Sequence, residues 1–309
     1  MVPRKAIRGG GLALALLALA PAAALGAVGD VWTDGPGRDR YVAMGDSAAS
    51  GPIIPNQRHD PAPCLRSDRN FPSVVAARLK VKAFRDVTCS SAQIKHLRKP
   101  QVNPNNLVGV NPPQFDALER RTTLVTIGPI GANDFSLVGV GLQCINPLPP
   151  IGRTSCRERF QTGGVDRNIQ VIEKLGRKFD RMLKTIHRKA PRADVFVVGY
   201  GYYLPAGGCW PYVPIWPGDA AYIQDLVNRL NTELFKTARR GKATYVNLQG
   251  RGAVDHTMCA PFGKQWITQL TDPLPGGAGL LAHPTARGME AMGRMVVERI
   301  KRTRARHGR

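Results

Sequence analysis

Acidic side chains are scarce in this chain: 22 Asp and Glu stand against 44 Lys and Arg, a formal net charge of +22 over 309 residues. Such a field attracts nucleic acid, anionic lipid or an acidic cell wall. The basic residues are dispersed, however, and neither an aromatic RNP pattern nor a zinc finger is present. That excludes a specific nucleic-acid module and leaves non-specific attraction to anionic surfaces. Close Cys-x-x-Cys pairs are also missing, which excludes a zinc site or a redox motif of that kind. No Gly-rich phosphate loop occurs and the six histidines are scattered, so neither a metal nor an organic cofactor is implied. There is no repeat or low-complexity array. Beyond the N-terminus no apolar run approaches the ~20 residues that a membrane-spanning helix needs.

What is present begins with an export pattern. Arg4, Lys5 and Arg8 precede the apolar run 12–20, and small residues follow through Ala27. A basic region, a short apolar core and a small-residue cleavage site read as a secretory signal peptide over residues 1–27. Its removal takes three positive charges and leaves +19. Residues 28–309, with an ordinary 43% hydrophobic content, then form one domain with a basic C-terminal tail over Arg299–Arg306. The expected product is a secreted monomer. Cys64, Cys89, Cys144, Cys156, Cys209 and Cys259 are even in number and widely spread, which suits disulfides in an oxidising compartment. Spacing alone leaves fifteen pairings open.

Apolar periodicity alternates between strands and helices. Strands are expected to end at Met44, to cover 81–88, 122–127 and 195–199, and to cover 243–247. Helices are expected over 71–79 (Val74, Val75 and Leu79 inward), from Asp166, from Asp219 and over 285–302. Ile172, Leu175, Phe179 and Leu183 share one face, as do Tyr222, Leu226, Leu230 and Leu234, and Met289, Met292, Val296 and Ile300. This order predicts an α/β fold with a mostly parallel sheet covered on both faces. Two long Pro- and Gly-rich loops, 52–70 and 137–165, interrupt it. Tyr202, Tyr203, Trp210, Tyr212 and Trp216 cluster in a third loop region, where they either line an apolar pocket or pack the loops onto the body.

Chemistry concentrates at three strand exits. The run Arg40-Tyr41-Val42-Ala43-Met44 ends in Gly45-Asp46-Ser47 followed by small residues. By position alone Ser47 is a nucleophile, a helix N-cap or a turn residue. Leu124-Val125-Thr126 leads into Ile127-Gly128-Pro129-Ile130-Gly131-Ala132-Asn133-Asp134, and Leu281-Ala282-His283-Pro284-Thr285 introduces the last helix. Ser, Asn and His at separate exits suit acyl transfer, as nucleophile, oxyanion donor and general base.

In this ordered set the chain resembles the SGNH (GDSL) hydrolase family, from about Arg40 to Arg299. The resemblance is closest to the secreted, disulfide-bonded esterases and lipases of high-GC Gram-positive bacteria. Pro63-Cys64-Leu65-Arg66, Asp86-Val87-Thr88-Cys89-Ser90 and Gly208-Cys209-Trp210-Pro211 are similar to that subgroup. It implies a three-layer α/β/α fold with a flavodoxin-like, five-stranded parallel sheet. It also implies sequential disulfides: Cys64 with Cys89, Cys144 with Cys156, Cys209 with Cys259. The implied function is ester hydrolysis of a small-molecule or lipid ester, with Ser47 as nucleophile and His283 as base. The implied oxyanion donors are the Ser47 N–H, the Ser91 N–H and the Asn133 amide.

Three features depart from the family pattern. Ser91 stands where a glycine is usual, and a positive φ there would strain it. One extra residue precedes Asn133. The aspartate three residues before the histidine is replaced by Leu280, so either the Leu280 carbonyl or the more distant Asp272 is expected to orient His283. These departures keep two rivals open: a cell-envelope or binding protein with weak or no catalysis, and a carbohydrate acetylesterase.

Overall fold

The computed structural model of the chain describes residues 33–34, 36–250, 252–269 and 280–308. The signal peptide expected over 1–27 and Asp272 lie outside the described residues.

Five parallel strands form the centre: β1 (Arg40–Met44), β2 (Ala83–Asp86), β3 (Leu124–Ile127), β4 (Asp194–Val198) and β5 (Thr244–Val246). Their order across the sheet is β2-β1-β3-β4-β5. β1 lies in the middle, with Tyr41 opposite Phe84 on one side and Leu124 on the other. A two-residue segment, Thr33–Asp34, adds an antiparallel edge to β2 that the apolar pattern did not announce. It is too short to carry a period-2 signal.

The helices are α1 (Ser47–Ser50), α2 (Phe71–Leu79), α3 (Leu137–Gln143), α4 (Cys156–Phe160), α5 (Arg167–Lys189), α6 (Pro217–Arg240) and α7 (Ala286–Arg306). Strand alternation assigns the layers. Tyr41, Ala43, Leu124, Phe196 and Val198 bury one face against Phe71 and Val75 of α2 and Met289, Val296 and Ile300 of α7. Val42, Met44, Val125, Ile127, Val195 and Val197 bury the other against Ile172, Leu175 and Phe179 of α5 and Leu226, Leu230 and Leu234 of α6. Fully burying one such aliphatic side chain is worth about 1.5–3 kcal/mol. Two filled faces therefore hold the strand ends in a fixed register.

Several helix starts match the sequence reading. Asn70, Asp166 and Thr285 each cap a helix through a side-chain oxygen. α6 begins at Pro217 rather than at Asp219, because proline favours the first helical turn. The Asp219 carboxylate instead accepts the backbone N–H groups of Cys156 and Arg157 and so caps α4. The basic run expected as a tail is the end of α7. Arg304 there pairs with Asp39 at 2.7 Å and Asp194 at 3.1 Å.

The disulfides are Cys64–Cys89, Cys144–Cys156 and Cys209–Cys259, the sequential set. All three serve loops at the carboxyl edge of the sheet. Trp210 and Trp216 donate their indole N–H groups to the Asn146 and Leu148 carbonyls, which ties the third loop region to the connection between α3 and α4, two short helices within the stretch 137–165 that was expected as a loop. Packing, not pocket lining, is what these two indoles do. Tyr212 is 78% exposed.

Candidate active site

The loop that carries Ser47 is built from β1. Asp46 caps α1, its Oδ1 accepting the Ala48 N–H at 2.9 Å, and Gly51 at φ 74° ends that single turn. Gln114 clamps the loop from beneath: its amide accepts the Gly45 N–H at 2.9 Å and donates to the Gly45 carbonyl at 3.0 Å. A Cβ on Gly45 would lie 2.8 Å from Ala49 Cβ and 3.1 Å from the Pro129 carbonyl oxygen, so only glycine fits. Ser47 emerges only 8% exposed.

His283 arrives from the opposite end of the chain. Its Nε2 lies 2.7 Å from Ser47 Oγ. Its Nδ1 lies 2.8 Å from the Leu281 carbonyl, which accepts the Nδ1–H and leaves the Nε2 lone pair facing the serine. Leu280 was the wrong residue for this role. Its carbonyl is already occupied by the Thr268 hydroxyl at 2.5 Å and the His283 N–H at 2.9 Å. Ala282 in the left-handed region, φ 56°, turns the chain so that the carbonyl two residues back meets the imidazole. Burial lowers the His283 pKa, and the Leu281 carbonyl partly counters this. A neutral imidazole, 5% exposed, therefore faces a hydroxyl at proton-transfer distance.

The other two exits reach the same place. Cys89 N–H bonds the Gly45 carbonyl at 3.2 Å, which draws the exit of β2 to the Ser47 loop. In the turn that follows, Ser91 has φ 63°, so the strain that its departure from glycine entails is present. A left-handed conformation costs a non-glycine residue roughly 1–2 kcal/mol. The Ser91 hydroxyl bonds Asn105 at 2.5 Å. The Ser91 and Ser47 backbone N–H groups have no hydrogen-bond partner among the described residues.

Asn133 donates one amide N–H to the Ala92 carbonyl at 3.0 Å, and its own carbonyl accepts from Gln93 at 2.9 Å. Gly128 and Gly131 before it turn the chain at φ 109° and 116°. A Cβ on Gly128 would lie 2.4 Å from the Val198 carbonyl oxygen. The Asp46 N–H fixes this segment by donating to the Pro129 carbonyl at 2.9 Å.

Ser47, Asn133 and His283 line one partly open cavity of about 70 Å³. Leu137, Val138 and Leu142 of α3 form one wall, and Leu204, Val213, Ile215, Ile223 and Met258 form others. Tyr203 is the one member of the aromatic cluster on this wall. Ser91 does not line the cavity, but its unpaired backbone N–H immediately precedes Ala92, whose carbonyl holds the Asn133 amide. The chemistry these groups support is attack on a carbonyl whose apolar substituent lies in the cavity.

A family model for the GDSL-like lipase/acylhydrolase family matches residues 43–291. The chain belongs to that family. Its reaction class is that of a carboxylic ester hydrolase. "Lipase 2" of Streptomyces coelicolor is 32% identical to this hydrolase over 268 residues, 82% of each chain. The extracellular lipase of Streptomyces rimosus superposes with a TM-score of 0.64 at 25% identity, over 84% of this hydrolase and 98% of the lipase. Phospholipase A1 of Streptomyces albidoflavus NA297 superposes at 0.65 and 24% identity, again over 84% and 98%, a likeness of fold.

Four residues of this hydrolase escaped the sequence reading: Asp46 as more than a motif member, Gln114, Tyr200 and Thr268. Gln114, Tyr200 and Thr268 act on backbone atoms far away in sequence, and Asp46 gains its second partner, the Tyr200 hydroxyl, only across 154 residues, so no local pattern marks these bonds. Burial pushes the Asp46 carboxyl up to about 7; hydrogen bonds from Tyr200 and Ala48 pull the other way, and nearby Asp134 adds to the rise. Among the described residues no group of three or more His, Cys, Asp or Glu could hold a metal ion.

Proposed function

We propose that this chain is an exported lipid-ester hydrolase working through an acyl-enzyme on Ser47. His283 Nε2 takes the serine proton as Oγ attacks the ester carbonyl. The negative charge that develops on the carbonyl oxygen is met by the Ser47 N–H, the Ser91 N–H and the free N–H of the Asn133 amide. The imidazolium then protonates the leaving alkoxide. Water, deprotonated by the same Nε2, attacks the acyl-enzyme and releases the acid. Leu281 holds the tautomer throughout.

The observation that carries this reading is the 2.7 Å Ser47–His283 contact at the head of an apolar cavity. An intact pair argues against a purely binding role. A wall of Leu, Val, Ile and Met argues against an acetylated sugar and for a fatty acyl chain. Three disulfides and the leader-like N-terminus support export. The net charge of +19 after leader removal supports attraction to anionic surfaces, where lipid esters reside.

The test is labelling by a fluorescent alkyl phosphonate together with turnover of p-nitrophenyl esters from acetate to palmitate. Adduct at Ser47 and a preference for chains longer than acetyl are expected. Adduct elsewhere, or activity confined to acetate, overturns the reading.

A further inference from the structure

Tyr200 lies just past the end of β4 and is buried. Its backbone is locked to α6, its N–H donating to Asn231 Oδ1 at 2.7 Å and its carbonyl accepting from Asn231 Nδ2 at 2.9 Å. From this fixed base the phenol reaches two loops. The hydroxyl accepts the Ala132 N–H at 3.0 Å and donates to Asp46 Oδ2 at 2.5 Å. A phenol has a single proton, so with the Ala132 N–H arriving its own proton goes to the carboxylate. The other oxygen of Asp46 accepts the Ala48 N–H. The result is one chain of hydrogen bonds converging on the Asp46 carboxylate: Ala132 N–H to the Tyr200 hydroxyl and that hydroxyl to Oδ2 from one side, the Ala48 N–H of α1 to Oδ1 from the other.

The two ends of that chain matter because of their neighbours. Ala132 immediately precedes Asn133, and Asp46 immediately precedes Ser47. Nothing else among the described side chains bonds both segments. The backbone bonds from Asp46 N–H to the Pro129 carbonyl and from Gly128 N–H to the Met44 carbonyl tie the bases of the two loops, and nearer their tips the Tyr200 hydroxyl is the side-chain link between the serine and the Asn133 amide.

We propose that Tyr200 and Asp46 form a positioning relay that holds Ser47 in register with Asn133, so that the Tyr200 hydroxyl governs turnover rather than substrate affinity. This rests on reading Ser47 as nucleophile and Asn133 as oxyanion donor. Neither relay member touches the reacting atoms. Both act through the residue that follows them or their partner in the chain. Misplacing a catalytic group by an ångström costs on the order of 10²-fold, and a donor stabilises the oxyanion only where the oxyanion forms. Small shifts at either end are thus felt in kcat.

The experiment compares Tyr200→Phe, Asp46→Asn and the double variant on a p-nitrophenyl ester, with thermal unfolding as a check on folding. Phenylalanine keeps the ring that walls the cavity and removes only the relay. Each single change is expected to lower kcat by about 10–100-fold with KM within about two-fold. The double variant is expected to be no worse than the weaker single, because both changes break one chain. Full kcat in Tyr200→Phe, a raised KM at unchanged kcat, or losses that multiply in the double variant would each overturn the relay. If Tyr200→Phe does not fold, Asp46→Asn decides by the same split of kcat against KM. Phosphonate labelling of the wild type separates the two readings. Adduct at Ser47 with an unaffected Tyr200→Phe variant defeats the relay alone, whereas adduct elsewhere defeats the nucleophile assignment beneath it.

Discussion

His283 Nε2 stands 2.7 Å from Ser47 Oγ although 236 residues separate them in the chain. Its other ring nitrogen rests on a peptide carbonyl, not a carboxylate. A carbonyl fixes the tautomer but carries only a partial charge, so the imidazolium receives less stabilisation than in a Ser-His-Asp triad. Ser47→Ala and His283→Ala should each remove nearly all ester turnover, and Ser47→Ala should also remove phosphonate labelling. Asp272→Asn should stay within a few-fold of wild type. A loss of about 10³–10⁴ in Asp272→Asn with the fold intact would make Asp272 a third member.

The pH profile follows from burial. His283 must be neutral to accept the serine proton, and desolvation lowers its pKa below the usual ~6.5. The acid limb of kcat/KM should therefore have its midpoint below about 6.5, with activity rising towards neutrality. The same shift bears on stability. The unfolded chain binds this proton near 6.5 and the folded chain only at lower pH, so stability falls as pH drops through that window. A kcat/KM midpoint at or above 7 would contradict a buried, neutral base.

Acyl-chain selection should depend on α3. Leu142 lines the cavity mouth and is 51% exposed, so a charge there leaves the core undisturbed. Leu142→Asp should raise KM for palmitoyl and caprylyl esters several-fold and leave acetate turnover near wild type. Equal effects on all chain lengths would place the acyl group elsewhere.

The bridge that follows α3 should serve the same wall. Replacing Cys144 and Cys156 together by serine removes a loop constraint worth roughly 2–4 kcal/mol. Denaturant unfolding should register that loss, and KM for long-chain esters should rise while acetate turnover persists. Unchanged stability would mean that the loop is held by Asp219 and the two indoles alone.

Attraction to anionic surfaces should be electrostatic. Binding of residues 28–309 to phosphatidylglycerol vesicles should weaken steeply between low salt and about 0.5 M, since exposed charges are screened beyond about 8–10 Å. Vesicle sedimentation measures it. Binding that survives about 1 M salt would point to a dedicated site.

Much of this architecture is legible locally. Period-2 and period-3.6 patterns place β1, β3, β4 and the inward faces of α5, α6 and α7, because burial on a sheet face or a helix stripe dictates those spacings. Gly45-Asp46-Ser47, Gly131-Ala132-Asn133 and His283-Pro284 mark three exits by residue type. The pairing of six cysteines was legible only through family resemblance. The two tryptophans at 210 and 216 were ambiguous because an indole fits a pocket wall and a loop anchor equally well. Only the position of the Asn146 and Leu148 carbonyls resolves the choice.

The amino-acid order by itself determined the layers and the three exits, since strand alternation and short-range chemistry leave few alternatives, while the meeting of Ser47 with His283 was legible only through the family resemblance. Tertiary structure alone decided which carbonyl orients His283. A left-handed Ala282 and a Thr268 hydroxyl already bonded to Leu280 shift the role by one residue, to Leu281. Tertiary structure alone also joined Tyr200 to Asp46 and Ala132, and Gln114 to Gly45. Such bonds link side chains to atoms dozens of residues away, and their partners are fixed only when the packed sheet brings distant strand ends within 3 Å.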